Sequence, residues 1–366
     1  MKNHNLVENN QYKEIIVEKR PLLDPTGKPV EDLFNYWIIF NNPTQLNSFT
    51  TQMVKETILA LRQASCDRSA VAIILTGVGH TAFCTGGNTK EYAEYYAGNP
   101  QEYKQYMRLF NDMITGVLLC DKPVINRVNG MRIGGGQEIG MACDFSIAAD
   151  TARFGQAGPK HGSAPDGGAT DFLHLFVGIG NSMESNALCG QWSAHRAIRL
   201  GLINRIAPVL KNKSGKFIPN PFVNLSEIDE YGRPCFGDFL SGEAKEKAKQ
   251  VALACSTELS LLDEEVEAMA YTLAMTMPDS LAKTIESVRK KKLEHWQKNC
   301  ETNRSWLSLN MMTEARAGFR AFSEGTKDNR EVDFIKLRRL LSEGTSWTEI
   351  RLEDILPRPQ SDNRGE

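Results

Sequence analysis

The stretch PVINRVNGMRIGGGQEIGMACDFSIAA, residues 123–149, decides how the rest of the chain is read. Its first segment, Pro123–Asn129, is a short apolar run rich in β-branched residues, as is its last, Asp144–Ala149. Such runs suit strands buried on both faces of a sheet. Between them the triple glycine Gly134-Gly135-Gly136 opens a short helix predicted to run through Ala142. Strand, glycine turn, helix and strand at this spacing predict an α/β architecture with helices covering a sheet.

Working outward, the same alternation recurs. Ala70–Leu75 is an apolar run ending at Thr76-Gly77, preceded by helical spacing over Thr50–Ala64 and followed by a helical pattern over 101–119. Two extended segments, Tyr12–Arg20 and Phe34–Phe40, flank the turn signal Asp24-Pro25-Thr26-Gly27-Lys28-Pro29 and predict a hairpin. Thr170–Leu200 reads as helix with glycine breaks, and Ile203–Pro208 as one more strand. Residues 209–241 hold Pro, Gly and Asn without periodicity, and are expected to be an insertion or linker. Helices are predicted at 243–256, 258–276, 279–298, 305–323 and 331–342. The expected organisation is an α/β core over 1–208, the insertion over 209–241, a helical region over 242–356 and a polar tail over 357–366.

Composition narrows the function. The chain has 366 residues, 41% hydrophobic and 24% charged, close to soluble globular averages. Forty-three Lys and Arg against forty-five Asp and Glu leave a net charge of −2, without the basic excess of a nucleic-acid surface. No apolar stretch approaches a membrane span and the first residues, MKNHNLVENNQ, are too polar for a secretory leader, so a cytoplasmic location is expected. Eight cysteines without a CxxC pair read as reduced thiols, and six histidines without HxH or HxxxH spacing advertise no metal site.

Two segments can carry chemistry together: His80-Thr-Ala-Phe-Cys-Thr-Gly-Gly-Asn88 and Asn129-Gly-Met-Arg-Ile-Gly-Gly-Gly-Gln-Glu138. Each glycine loop comes after a predicted strand and precedes a helix, so free backbone N–H groups from both can converge on one oxygen that becomes negative during reaction. Taken singly, either loop is also an ordinary tight turn. Neither fits G-x-G-x-x-G, which argues against a dinucleotide site.

With these loops in place, the chain resembles the crotonase, or enoyl-CoA hydratase and isomerase, superfamily from about residue 34 to about residue 325. The resemblance rests on six landmarks in family order: Asn42-Pro43-Thr44-Gln45-Leu46-Asn47; Phe83-Cys84-Thr85-Gly86-Gly87; Lys122–Ile125 leading through the triple glycine to Cys143-Asp144; Phe154-Gly155-Gln156; Ala197–Ile203; and Thr313–Phe322. It implies an α/β crotonase (ClpP/crotonase-like) fold of repeated ββα units with a helical C-terminal trimerisation region. It also implies an acyl-CoA thioester substrate, no metal, no cofactor beyond the coenzyme A that the substrate carries, and a homotrimer or a homohexamer built as a dimer of trimers. By position, the backbone N–H groups of Gly87 and Gly135 would polarise the thioester carbonyl, Gln45, Leu46, Cys84 and Gly86 would contact coenzyme A, and Glu138 would be one of the family's catalytic glutamates.

The sequence departs from simple hydratases at Gln156-Ala157-Gly158-Pro159-Lys160, where Gly158 stands in place of the second glutamate. The adjoining loop, His161-Gly-Ser-Ala-Pro-Asp-Gly-Gly-Ala-Thr-Asp171, is rich in groups that move protons. Similar loops occur in the family's 1,4-dihydroxy-2-naphthoyl-CoA synthases, which close a ring, and in ring-opening hydrolases; length, insertion and this loop favour the ring-opening branch. That branch implies two water additions to one cyclic thioester. A synthase-like lyase, another hydratase and a non-catalytic CoA-ester-binding protein are the alternatives. Asp166 is the first candidate for a water-activating or proton-shuttling base, although Pro-Asp-Gly-Gly is also a turn signal. His161 can titrate near neutrality. Asp171 is a further candidate, its plainer role being to cap a helix starting near Phe172. His174 reads as packing, Cys84 and Cys143 as small buried side chains, and Tyr92, Tyr95 and Tyr96 as candidates to line an acyl pocket.

Overall fold

The computed structural model describes residues 11–326 and 328–357. β1 (Ile15–Leu23) and β2 (Pro29–Phe40) form the expected antiparallel hairpin. Its turn is closed by the Asp24 carboxylate, which accepts from the Thr26 and Lys28 amides at 2.8 and 3.0 Å. α1 (Thr51–Cys66), whose N-cap Thr50 accepts from the Met53 amide, returns the chain to β3 (Ala70–Gly77), parallel to β2.

Three ββα units come next. β3 leads to β4 (Ala82–Cys84), α2 (Thr89–Glu91) and α3 (Pro100–Leu118); β5 (Val124–Val128) leads to β6 (Met131–Ile133) and α4 (Gly135–Ala142); β7 (Phe145–Ala149) leads to β8 (Arg153–Gly155) and α5 (Ala169–Leu188). Each unit gives its first strand to one sheet and its second to another. With β9 (Gln191–Ser193), α6 (Ala194–Arg199) and β10 (Arg205–Ala207) added, the sheets are ordered β1-β2-β3-β5-β7-β10 and β4-β6-β8-β9. Ile73, Ile74, Leu75, Val124, Ile125, Ile147 and Ala148 are fully buried, which is why their segments read as largely apolar, interrupted in β5 by the buried Asn126 and Arg127 and in β7 by the buried Ser146.

The insertion is ordered. β11 (Leu210–Lys211) pairs with both β12 (Phe217–Ile218) and β13 (Ser256–Thr257) in a small third sheet. Beyond it Asn220, Asn224 and Asp229 each accept from the amide two residues on. Such turns hold a chain without hydrophobic periodicity, so the segment looked structureless in sequence.

The C-terminal third is α7 (Gly242–Leu253), α8 (Ser260–Ala274), α9 (Pro278–Asn310), α10 (Glu314–Glu324) and α11 (Phe334–Ser342). The expected break between 298 and 305 is absent, because Asn299–Arg304 contains neither Pro nor Gly. The chain leaves helical geometry at Thr313 instead (φ −129°, ψ −110°). α8 packs across β3, β5, β7 and β10, whereas α9 lies against α3 and α5, behind the glycine loops. No helix among the described residues is long and apolar enough to cross a membrane. The polar tail from residue 358 onward lies outside the described residues.

Candidate active site

The two glycine loops meet backbone to backbone. Phe49 bridges to Gly87: the Phe49 amide donates to the Gly86 carbonyl and the Asn88 amide to the Phe49 carbonyl, both at 2.9 Å. That pattern leaves the Gly87 N–H outside the ladder. Gly135 is the first residue of α4, so its N–H has no partner inside the helix. A methyl placed on Gly86 would stand 3.1 Å from the Gly135 nitrogen, and Gly134 adopts φ +57°, ψ −127°, which side chains do not tolerate. Glycine is therefore required on both sides of the meeting point, and it brings together two half-buried residues, Gly87 and Gly135, whose N–H groups are left free by the ladder and the helix.

One turn into α4, Glu138 is buried and points at the start of α5. Its Oε1 accepts from the Gly167 amide at 3.0 Å and the Ala169 amide at 3.4 Å. Burial pushes this carboxyl up to about 8, and the nearby charges of Asp166 and Asp171 push the same way against the two amides. At neutral pH Glu138 holds its proton.

Gly158 explains how Asp166 arrives there. A side chain at Gly158 would meet the backbone of Ser163, Ala164 and Pro165 at 3.0–3.2 Å. The backbone of this loop therefore crowds any side chain at residue 158, and the next residues carry Asp166 and Gly167 to Glu138. Asp166 is half-buried, with Oδ1 accepting from Thr170 at 2.9 Å, and burial holds its carboxyl above the usual range.

Asp171 does not cap α5. The helix starts at Ala169 after Gly168 (φ +130°), which places Asp171 inside the first turn. Its Oδ1 accepts from Asn299 of α9 at 2.6 Å, its Oδ2 is buried without a partner among the described residues, and burial pushes the group to about 6. Glu138, Asp166 and Asp171 thus form one carboxyl cluster. His161 stands apart: its Nδ1 lies 3.0 Å from the Ala157 carbonyl, its ring packs 4.9 Å from that of Phe322 on α10, and burial holds it below the ordinary histidine value. His174 packs edge-on against His295 at 4.9 Å.

The Gln45 and Leu46 turn lies on the opposite rim. Gln45 accepts from the Asn88 side chain, and the Leu46 carbonyl accepts from Thr85 at 3.4 Å, so this exposed corner is tied to the Gly86–Gly87 loop. Cys84 is fully buried, and burial pushes its thiol up to about 12; any contact it makes with a ligand is through its backbone.

Sequence reading missed the inward face of α9. Arg289 makes a two-pronged ion pair with Asp144 at 2.7 and 2.5 Å, and Lys292 donates to the carbonyls of Met141, Ala142 and Cys143 at 2.8, 3.3 and 2.7 Å. Lys292 therefore closes the C-terminal end of the helix whose first turn carries Gly135 and Glu138. Trp296, buried one turn further on, was the available signal that this charged helix faces inward. Lys292→Met keeps the aliphatic stem and strands three carbonyls, so stability should fall by roughly 2–4 kcal/mol. Urea unfolding measures this; an unchanged midpoint would show that water replaces the ammonium.

Comparisons with known proteins show the chain's family. Residues 36–214 match the family described as Enoyl-CoA hydratase/isomerase. The chain is 56% identical to a 6-oxocyclohex-1-ene-1-carbonyl-CoA hydrolase of Geobacter metallireducens, over 98% of this chain and 96% of the relative. It is 54% identical to the enzyme of the same name from Thauera aromatica, over 97% and 94%, and 45% identical to that from Syntrophus aciditrophicus, over 94% and 91%. Among solved structures, an enoyl-CoA hydratase of Bacillus halodurans aligns with a TM-score of 0.63 at 18% identity, over 84% of this chain and 100% of that one. An enoyl-CoA hydratase/isomerase of Xanthobacter autotrophicus aligns at 0.62 and 19%, over 92% and 99%. These solved structures share the fold, and the near-full-length relatives settle the kinship: the chain belongs to the enoyl-CoA hydratase/isomerase, or crotonase, family.

Proposed function

We propose that this chain adds water to 6-oxocyclohex-1-ene-1-carbonyl-CoA and then opens its ring, giving 3-hydroxypimeloyl-CoA, in the anaerobic degradation of aromatic compounds through benzoyl-CoA. The observation that carries the reading is the packing of Ser163–Pro165 over Gly158, which crowds the position of a second hydratase glutamate and brings Asp166 beside Glu138. The relatives' shared name supports it, and favours neither a synthase-like lyase, a simple hydratase nor a non-catalytic binder.

The chemistry runs on two exchanges of water for bonds. In the first, a carboxylate of the cluster takes a proton from water, whose oxygen bonds the ring carbon β to the thioester. The π pair moves to give an enolate held by the Gly87 and Gly135 N–H groups, and protonated Glu138 supplies the α-carbon proton. In the second, water adds to the ring ketone. Collapse of that adduct breaks the bond between the ketone carbon and the α-carbon, the electron pair returns to the thioester enolate, and protonation leaves a free carboxylic acid. Both steps need only charge stabilisation and proton transfer, so the reading includes no metal and no cofactor beyond substrate-borne coenzyme A. It places the enzyme in the cytoplasm as a homotrimer or a dimer of trimers; the exposed Ile179 and Met183, one turn apart in the part of α5 beyond the break at Gly178 (φ +75°), support self-association.

Product mass from the purified protein and this thioester tests the reading. Asp166 is assigned more to ring opening than to hydration, so Asp166→Asn should accumulate a species one water heavier than substrate with its ring closed, while cleavage slows roughly 10²-fold. Ring-opened product forming at the normal rate would remove Asp166 from that step.

A further inference from the structure

Four tyrosines gather beside the first glycine loop: Tyr92, Tyr96, Tyr103 and Tyr106 are all buried, with ring centroids 4.9–6.1 Å apart. Phenylalanine would fill the same space without burying hydroxyls, whose desolvation disfavours folding unless they find partners. One hydroxyl is taken up elsewhere, since Tyr96 meets Thr51 at 2.7 Å. The Tyr92 and Tyr106 hydroxyls meet each other at 2.7 Å, and Tyr103 adjoins Tyr92. The hydrogen-bonded Tyr92–Tyr106 pair uses one of its two O–H donors internally and leaves the other to spare.

The position of this spare donor is informative. The Tyr92 hydroxyl lies directly on the oxyanion loop, so close that a methyl on Gly87 would fall 1.7 Å from it. On the other side of the Tyr92 ring, Tyr103 packs edge-on at 5.5 Å and feels the charge of Glu138. The phenols therefore span the gap between the thioester-oxygen donors and the carboxyl that serves the α-carbon. In the proposed substrate the ring ketone and the thioester are bonded to the same α-carbon. With the thioester oxygen at Gly87 and Gly135, the ketone oxygen falls alongside this span.

We infer that the Tyr92–Tyr106 hydroxyl pair donates a hydrogen bond to the substrate's ring ketone and stabilises the alkoxide formed when water adds to it. The inference rests on the substrate reading above and adds a second oxyanion site to it. In the step concerned, a new C–O bond forms at the ketone carbon and its π pair becomes the alkoxide lone pair. The phenol stabilises that charge without giving up its proton. When the pair returns, the carbonyl re-forms and the ring C–C bond breaks toward the thioester enolate. Burial holds Tyr92 and Tyr106 well above the usual phenol range, so both remain donors at working pH.

The test separates the two half-reactions in Tyr92→Phe and Tyr106→Phe. With the ring-closed hydrate as starting material, opening should slow roughly 10²-fold. Hydration of the cyclic enone should slow by no more than about tenfold, because its enolate charge is shared with the Gly87 and Gly135 donors. A second measurement needs no variant: the ketone of a ring-intact CoA thioether, carbon-13 labelled and bound to the wild-type enzyme, should stretch at lower frequency than in water. Opening at the wild-type rate in both variants, or an unshifted ketone band, overturns the inference. Failure of the unmodified enzyme to open the thioester's ring overturns the substrate reading itself and is seen in the wild-type assay alone.

Discussion

Replacing Glu138 by glutamine is expected to cut turnover at least roughly 10²-fold while CoA-ester binding survives. The substitution is conservative in shape: a glutamine carbonyl can still accept from the Gly167 and Ala169 amides that now hold Oε1, so the loop carrying Asp166 keeps its place. What disappears is the proton. Glu138 is neutral up to about pH 8 because it is buried among other carboxyls, and a neutral carboxyl beside the α-carbon can protonate an enolate. Wild-type activity should therefore fall as pH rises through about 8, and that limb should be missing from the residual activity of the variant. The same shift has a stability consequence of definite sign. The folded state favours the protonated form, so Glu138 withdraws stability as pH climbs from its ordinary 4.5 toward 8. Above pH 8 the glutamine variant should thus gain stability relative to the wild type, compared with the same difference below 4.5. Near-normal turnover, or an unchanged alkaline limb, would remove Glu138 from proton transfer.

The contrast between what could and could not be read from sequence has physical causes. β3, β5 and β7 were legible because strands buried on both faces are mostly apolar, and Gly86-Gly87 and Gly134-Gly135 because the close meeting of the two loops, packed by Tyr92 and Phe49, leaves little space for side chains. Glu138 was legible through its fixed distance from that crossing. The α9 residues were not: Arg289, Lys292 and Asn299 keep helical spacing, and a charged stripe ordinarily faces water. They turn inward because their partners are backbone carbonyls and carboxylates more than a hundred residues earlier, which no local pattern records. The plainer alternative for Asp171, a helix cap, fails for the same reason, its partner being Asn299. Tyr95, grouped in sequence with Tyr92 and Tyr96, is 54% exposed, since the helix turn there points it outward.

A CoA thioether that keeps the ring, the ketone and the double bond but lacks the thioester carbonyl should bind and never ring-open. Its affinity comes largely from the coenzyme A portion, which the thioether retains. Ring opening fails because, once water has added to the ketone, the departing carbon has no carbonyl to receive its electron pair, and the Gly87 and Gly135 N–H groups have no oxygen on which charge develops. Hydration is a sharper test. The double bond remains conjugated to the ring ketone, so addition stays possible with charge carried on that oxygen alone, beside Tyr92 rather than at the two glycines. The expected slowing is at least roughly 10²-fold, the usual effect of losing preorganised donors. If Tyr92 and Tyr106 hold the ketone, this residual hydration should be more sensitive to Tyr92→Phe than hydration of the true thioester is, because the phenols then carry the whole enolate charge. Hydration of the thioether at the thioester's rate would mean that the ketone is the oxygen the enzyme activates in the first step, and would confine the glycine hole to the second.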